Sequence, residues 1–203
     1  MLSGSSTTNP NIVGSTTFVG ANLTGGNPLL APLDNYGGPT KTMALIPTSP
    51  VRNASIASAA TADQRSFPII STADIGAYEA GTLTNYNAWI WETLPASATI
   101  AQHAAGADFD GDGATNGDEY LAGTNPTDIA SRFRLVSAVR NAANLDVTFT
   151  SVLGRPYGLE ITTDLISYTT VASGVVGTGS PITIPIGPVT GFPRFFVRAR
   201  VGP

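Results

Sequence analysis

The sequence predicts a mainly β protein with a short helical segment in its middle, and three observations predict it. Glycine (22) and proline (15) are spread along all 203 residues, which favours short strands joined by turns over long helices. From residue 132 onward, apolar and polar residues alternate with a period of two, the pattern of strands with one buried face. Helical character is confined to short stretches in the middle of the chain, 86–94 and 116–122, with a loose turn or short helix between them.

Taken in order, residues 1–35 intersperse short apolar pieces (Ile12-Val13, Thr17-Phe18-Val19, Leu29-Leu30) with Gly, Asn, Ser and Thr, and read as short strands and turns. Residues 27–80 are punctuated by proline, which precludes helices of ordinary length. Tyr86, Trp89, Ile90 and Leu94 fall at helical spacing, and Pro95 ends that helix. Alanine-rich residues 96–107 suit a loose turn or short helix. Residues 116–122 suit a second helix, stopped by Gly123 with Asn125-Pro126 beyond. Six strands are expected near 133–139, 145–149, 157–161, 168–171, 182–186 and 195–201, enough for a small antiparallel β-sandwich.

Composition removes several function classes. Charged residues make up only 12% and hydrophobic ones 42%, so the chain can build a core and is not a disordered segment. A net charge of −4, with no Lys/Arg cluster before the last dozen residues, argues against nucleic acid as a partner. Without cysteine there are neither disulfides nor thiol chemistry. No apolar run approaches the roughly 18 residues of a membrane span.

Residues 108–119 carry the clearest chemistry. Five carboxylates (Asp108, Asp110, Asp112, Asp118, Glu119) fall within twelve residues, with no Lys or Arg among them. Carboxylates held that close repel one another unless a cation lies between them. The order D-x-D-x-D-G-x5-E is that of the EF-hand calcium loop, with oxygen donors at positions 1, 3, 5, 7, 9 and 12. Here those are Asp108, Asp110, Asp112, the carbonyl of Ala114, Asn116 (directly or through water) and Glu119, with Gly113 at the sharp turn. The hard-oxygen set favours Ca2+, since zinc would call for Cys or His, and His103 lies outside the loop.

Three resemblances widen this reading. Asn27-Pro28-Leu29-Leu30, Gly37-Gly38-Pro39-Thr40, Leu45-Ile46-Pro47, Asp63-Gln64-Arg65 and Asp74-Ile75-Gly76-Ala77-Tyr78-Glu79 together resemble the choice-of-anchor Q region of bacterial surface and secreted proteins. That resemblance covers about residues 18–80 and implies the C-terminal end of a right-handed parallel β-helix with a proline-rich cap, residues 1–26 being its last coils. Two departures stand out: Asn53 where Asp is common, and Ser66 where glycine is usual. The loop followed by Glu119-Tyr120-Leu121 and Gly123-Thr124-Asn125-Pro126 resembles isolated calcium repeats of the thrombospondin type 3 or dockerin kind. Dockerins usually carry two loops in tandem, and this chain has one. The run Gly154-Arg155, Tyr157, Leu159-Glu160, Asp164-Leu165 and Arg194-Phe195-Phe196 resembles C-terminal β-sandwich modules of planctomycete and verrucomicrobial secreted proteins.

The expected organisation is therefore a β-helix end and cap at 1–80, a helical linker with the calcium loop at 81–131, and a β-sandwich at 132–203. The expected function is non-catalytic: a structural or interaction region of a large bacterial secreted or cell-surface protein, in which Ca2+ stiffens the linker. Its partners would be the upstream β-helix of the parent protein and a glycan or cell-surface component. The N-terminus has neither the basic nor the apolar part of a secretion signal, so the signal is expected upstream of Met1. Carbohydrate binding, with Trp89, Trp91, Tyr157 and Tyr168 as stacking candidates, is one alternative. A remnant of a β-helix polysaccharide lyase is the other. His103 has no nucleophile motif to serve, and Arg65 is better placed to tie acidic turns together than to serve a carboxylate pair.

Overall fold

The structure is a computed structural model that describes residues 27–55, 60–189 and 194–202. The solenoid coils expected at 1–26 lie outside the described residues. The chain divides into two compact units, Met1–His103 and Ala104–Pro203.

In the first unit, prolines at 28, 32, 39, 47 and 50 interrupt any continuous ladder of backbone donors. What forms instead are isolated antiparallel bridges, Leu30 to Leu45 and Asp34 to Thr42. Ala31 donates to Ala44 O at 2.9 Å, and Asp34 and Thr42 exchange two bonds of 3.0 Å. Parallel strand pairing is not seen among the described residues. The core gathers Ala31, Tyr36, Ala44, Leu45, Val51, Tyr78 and Ala88. Helix α1 (Tyr86–Thr93) supplies Ala88 and packs Trp91 beside that core. Its N-cap is Asn85, whose side chain accepts from Ala88 N, and Leu94 turns extended as a residue before proline must. A single 3-10 turn, Ile100–His103, follows.

Arg65 holds this unit together. The side chain is fully buried, paired with Asp63 at 2.7 Å, and donates to the carbonyls of Tyr36 (3.0 Å) and Glu79 (2.6 Å). Its guanidinium carbon lies 3.6 Å from the centroid of the Tyr78 ring and 4.8 Å from that of Phe67. Gly38 permits this packing: it has φ +82°, and a Cβ there would lie 2.7 Å from the Arg65 Cα.

The second unit begins with helix α2 (Asn116–Ala122), capped by Thr115 in a reciprocal box with Asp118 and ended by a left-handed Gly123. Six strands follow: β1 (Leu135–Asn141), β2 (Asn144–Phe149), β3 (Pro156–Thr162), β4 (Thr169–Val176), β5 (Ile182–Ile186) and β6 (Phe196–Val201). They form two antiparallel sheets, ordered β1-β2-β5 and β4-β3-β6. Val147, Phe149 and Ile186 from the first sheet and Tyr157 and Leu159 from the second share one core. Each such side chain contributes about 1.5–3 kcal/mol when buried. Phe133 stacks on Tyr157 at 5.2 Å and meets Phe149 edge-on at 6.1 Å. The protein is thus mainly β with few helices, an arrangement consistent with a β-sandwich.

Candidate metal centre

The carboxylates of Asp108, Asp110 and Asp112 converge because the backbone between them folds onto their side chains. Gly111 N and Gly113 N donate to the two oxygens of Asp108, at 2.8 and 3.0 Å. Asp112 N donates to Asp110 Oδ1 (3.2 Å), and Ala114 N to Asp112 Oδ1 (2.7 Å). Gly113 makes the turn at φ +94°, a conformation that strains residues with a Cβ. One carboxylate oxygen from each aspartate lies within 4.8 Å of the other two.

The chain then enters α2, which brings in the last two side-chain donors. Asn116 is fully buried, takes its amide bond to Ala107 O (2.7 Å), and donates Nδ2 to Ala104 O (3.1 Å). That leaves Oδ1 as the atom able to face a cation. Glu119, one helical turn on, is also fully buried, with Oε1 accepting from Thr124 Oγ1 at 3.3 Å. Burial first, then the charge of Asp110, push the Glu119 carboxyl up to about 7; the Thr124 hydroxyl opposes the rise, and Asp112 and Asp108 add to it.

Three carboxylate oxygens in this array are buried without a hydrogen-bond partner among the described residues: Asp110 Oδ2, Asp112 Oδ2 and Glu119 Oε2. Orphaned carboxylate oxygens cost several kcal/mol unless something positive answers them. They sit at loop positions 3, 5 and 12, where the sequence pattern calls for ligands. The residues present therefore suit a hard divalent cation, which would take oxygen donors from Asp108, Asp110, Asp112, Ala114, Asn116 and Glu119.

Thr124, part of the Gly123-Thr124-Asn125-Pro126 run, and Arg132, which belongs to no motif, support the loop. Arg132 donates Nη1 to Asp112 O at 2.6 Å, and Arg155 donates Nη2 to Tyr120 O at 3.3 Å near the end of α2. Both arginines come from the strand region, so loop, helix and sheets are knit within one unit. The segment 81–131 is thereby shared between the units, with α1 in the first and the loop and α2 in the second.

The other candidates are occupied by structural work. His103 is buried and stacked on Trp91 at 3.6 Å, with Nδ1 at 2.8 Å from Thr99 O. Burial pushes it below the usual histidine range against the opposing Thr99 bond. Tyr157 lies inside the core, and the Arg198 guanidinium covers Tyr168 at 3.4 Å. Tyr36 and Tyr78 are raised well above the ordinary phenol range by burial, with Asp34 adding in the first case and Glu92 in the second. Asp74 and Glu79 accept backbone amides from Asn53, Ala80 and Asp74 itself. No family model, curated protein or solved structure matches this chain.

Proposed function

We propose that residues 108–119 bind one Ca2+ ion with a structural role, and that the chain is a non-catalytic structural or interaction region of a larger bacterial secreted or cell-surface protein. The observation that carries the metal reading is the set of three buried, unpartnered carboxylate oxygens at loop positions 3, 5 and 12. Calcium is preferred to magnesium because a loop with up to six oxygen donors and a long Glu suits a large, flexible coordination sphere. The ion would neutralise the carboxylates and so fix the path of the chain from Ala107 into α2. Through Asp112 and Arg132 the same order would extend to the start of the sheets.

The cellular setting rests on the resemblances of residues 18–80 and of the loop and β-sandwich segments to parts of such proteins. In that reading residues 27–80 close the end of a parallel β-helix, and the upstream coils are the partner of this cap. In line with such a setting, no helix among the described residues is long and apolar enough to cross a membrane.

Calcium titration with thermal melting tests the metal. With affinity on the order of 10⁻⁴–10⁻³ M, as in extracellular modules, calcium at 10–100 times Kd stabilises by about 1.4–2.7 kcal/mol. An unchanged melting curve, with unchanged protease cleavage near residue 110 after chelation, would remove the structural role.

A further inference from the structure

The chain as a whole is acidic, yet most of its basic residues belong to the second unit. Six of the ten Lys and Arg residues are Arg132, Arg134, Arg140, Arg194, Arg198 and Arg200, while residues 129–145 and 188–203 contain no Asp or Glu. Strands β4 and β5 adjoin each other across the two sheets.

Strand β1 is the edge of its sheet and pairs only with β2 among the described residues. All seven of its residues are exposed. Leu135, Val136 and Val139 are 42%, 51% and 59% exposed, and the strand contains neither proline nor lysine. An apolar edge of this kind is a template for another strand unless something guards it; here the register against β2 shifts between Leu135 and Ser137, which leaves 137–141 as the regular part of the edge. Arg134 and Arg140 bracket it, and neither makes an ion pair among the described residues.

These two arginines decide what the edge accepts. If two copies paired β1 antiparallel with Ser137 opposite Ser137, Arg134 of each would face Arg140 of the other. Like charges directly opposite destabilise a sheet, so the two arginines oppose that register of self-pairing. A strand carrying carboxylates at the matching positions would meet both guanidiniums while its backbone completed the open ladder. A sugar chain fits less well, because β1 itself carries no aromatic ring on which a sugar could stack.

We propose that the β1 edge is a docking site for an extended acidic peptide strand from a partner polypeptide, added antiparallel with its carboxylates on Arg134 and Arg140. This does not depend on the calcium reading.

The probe is a fluorescent peptide, acetyl-Glu-Val-Thr-Thr-Val-Val-Glu-amide, titrated against the full chain by anisotropy, with calcium and with chelator. Saturable binding is expected, weakened about tenfold or more by the double change Arg134→Glu and Arg140→Glu, and likewise by replacing both peptide glutamates with lysine. N-methylation of alternate peptide amides should abolish it. Val139→Lys, a second exposed position, should weaken it while the melting curve stays unchanged. Three results would overturn the proposal: no saturation, equal binding by the lysine peptide, or displacement of the peptide by polygalacturonate at lower concentration. A concentration-dependent dimer that loses its contact on Val139→Lys would assign the edge to a second copy instead, and would equally overturn it.

Discussion

Both halves of this protein bury carboxylates, and they answer the charge in opposite ways. In the first unit Asp63 meets its cation inside the chain: Arg65 is fully buried against it, with three ion-pair or carbonyl partners and two aromatic faces. In the second unit four carboxylates converge without a Lys or Arg side chain reaching them. Arg132 approaches, yet spends its donor on the carbonyl of Asp112 rather than on its carboxylate. One region is self-sufficient; the other, on the reading proposed here, takes its positive charge from solution. The difference teaches that an internal guanidinium fixes stability once and for all, whereas an ionic array makes stability depend on the medium.

The sharpest way to break the comparison is to remove the internal cation. Arg65→Met should leave Asp63 buried and unpaired and destabilise the first unit by about 3–5 kcal/mol, close to the whole stability of a small domain. Both tryptophans, Trp89 and Trp91, lie in that unit, so urea unfolding followed by their fluorescence reads it directly. A shift below 1 kcal/mol would show that Arg65 is not the anchor described.

Next in size, Asp112→Asn should change sign with the medium. In saturating calcium it should lose most of the metal's stabilisation of about 1.4–2.7 kcal/mol. In chelator it should match or exceed the unaltered protein, because one repulsive charge has gone. Melting both proteins in both buffers, followed by far-ultraviolet dichroism, checks this. Equal destabilisation in both buffers would mean that Asp112 serves packing alone.

pH should separate the units as well. Burial tends to raise Asp63, but amides from Glu79 and Phe67 and the Arg65 guanidinium outweigh it and hold the carboxyl below its usual value of 3.8. A depressed folded value means stability that is present above pH ~4 and lost as pH falls through the folded value. Glu119 runs the other way. Its folded value near 7, against 4.5 unperturbed, gives the calcium-free second unit stability that is full below about pH 4.5 and lost as pH rises through 7. Unfolding series at pH 2–8 in chelator should show these opposite slopes. Calcium should flatten the second.

The smallest effect concerns a turn. Ser66, directly after Arg65, has φ +69°, a region that glycine enters without strain. Ser66→Gly should stabilise the first unit by about 0.5–1 kcal/mol, read as a higher urea midpoint with unchanged slope. A lower midpoint would mean that the serine makes a compensating contact.

Much of this was legible in advance because it is local. Helix α1 follows from the spacing of Tyr86, Trp89, Ile90 and Leu94 before Pro95, and α2 from its stop at Gly123. All six strands coincide with stretches of period-two alternation. The convergence of Asp108, Asp110 and Asp112 is readable because their alternate spacing around glycine turns folds one loop onto itself. What was hidden depends on distance along the chain. Nothing near Arg65 announces that it will bond carbonyls 29 and 14 residues away at Tyr36 and Glu79. The same holds for Arg132, twenty residues from the carbonyl it supports. The surroundings of the aromatic candidates were hidden for a related reason: His103 and Arg198 reach Trp91 and Tyr168 from elsewhere in the chain.

The hydrogen bonds inside the acidic loop also bear on how the protein ages. Asp110-Gly111, Asp112-Gly113 and Asn116-Gly117 are the three sequence pairs most open to spontaneous succinimide formation, in which the glycine amide nitrogen attacks the preceding side chain. Each of those nitrogens is engaged elsewhere: Gly111 and Gly113 on the two oxygens of Asp108, Gly117 on Ala105 O at 2.8 Å. The fold thus ties up the three nucleophiles that would rewrite its own backbone, and the chemical lifetime of the chain is set by how long that loop stays closed.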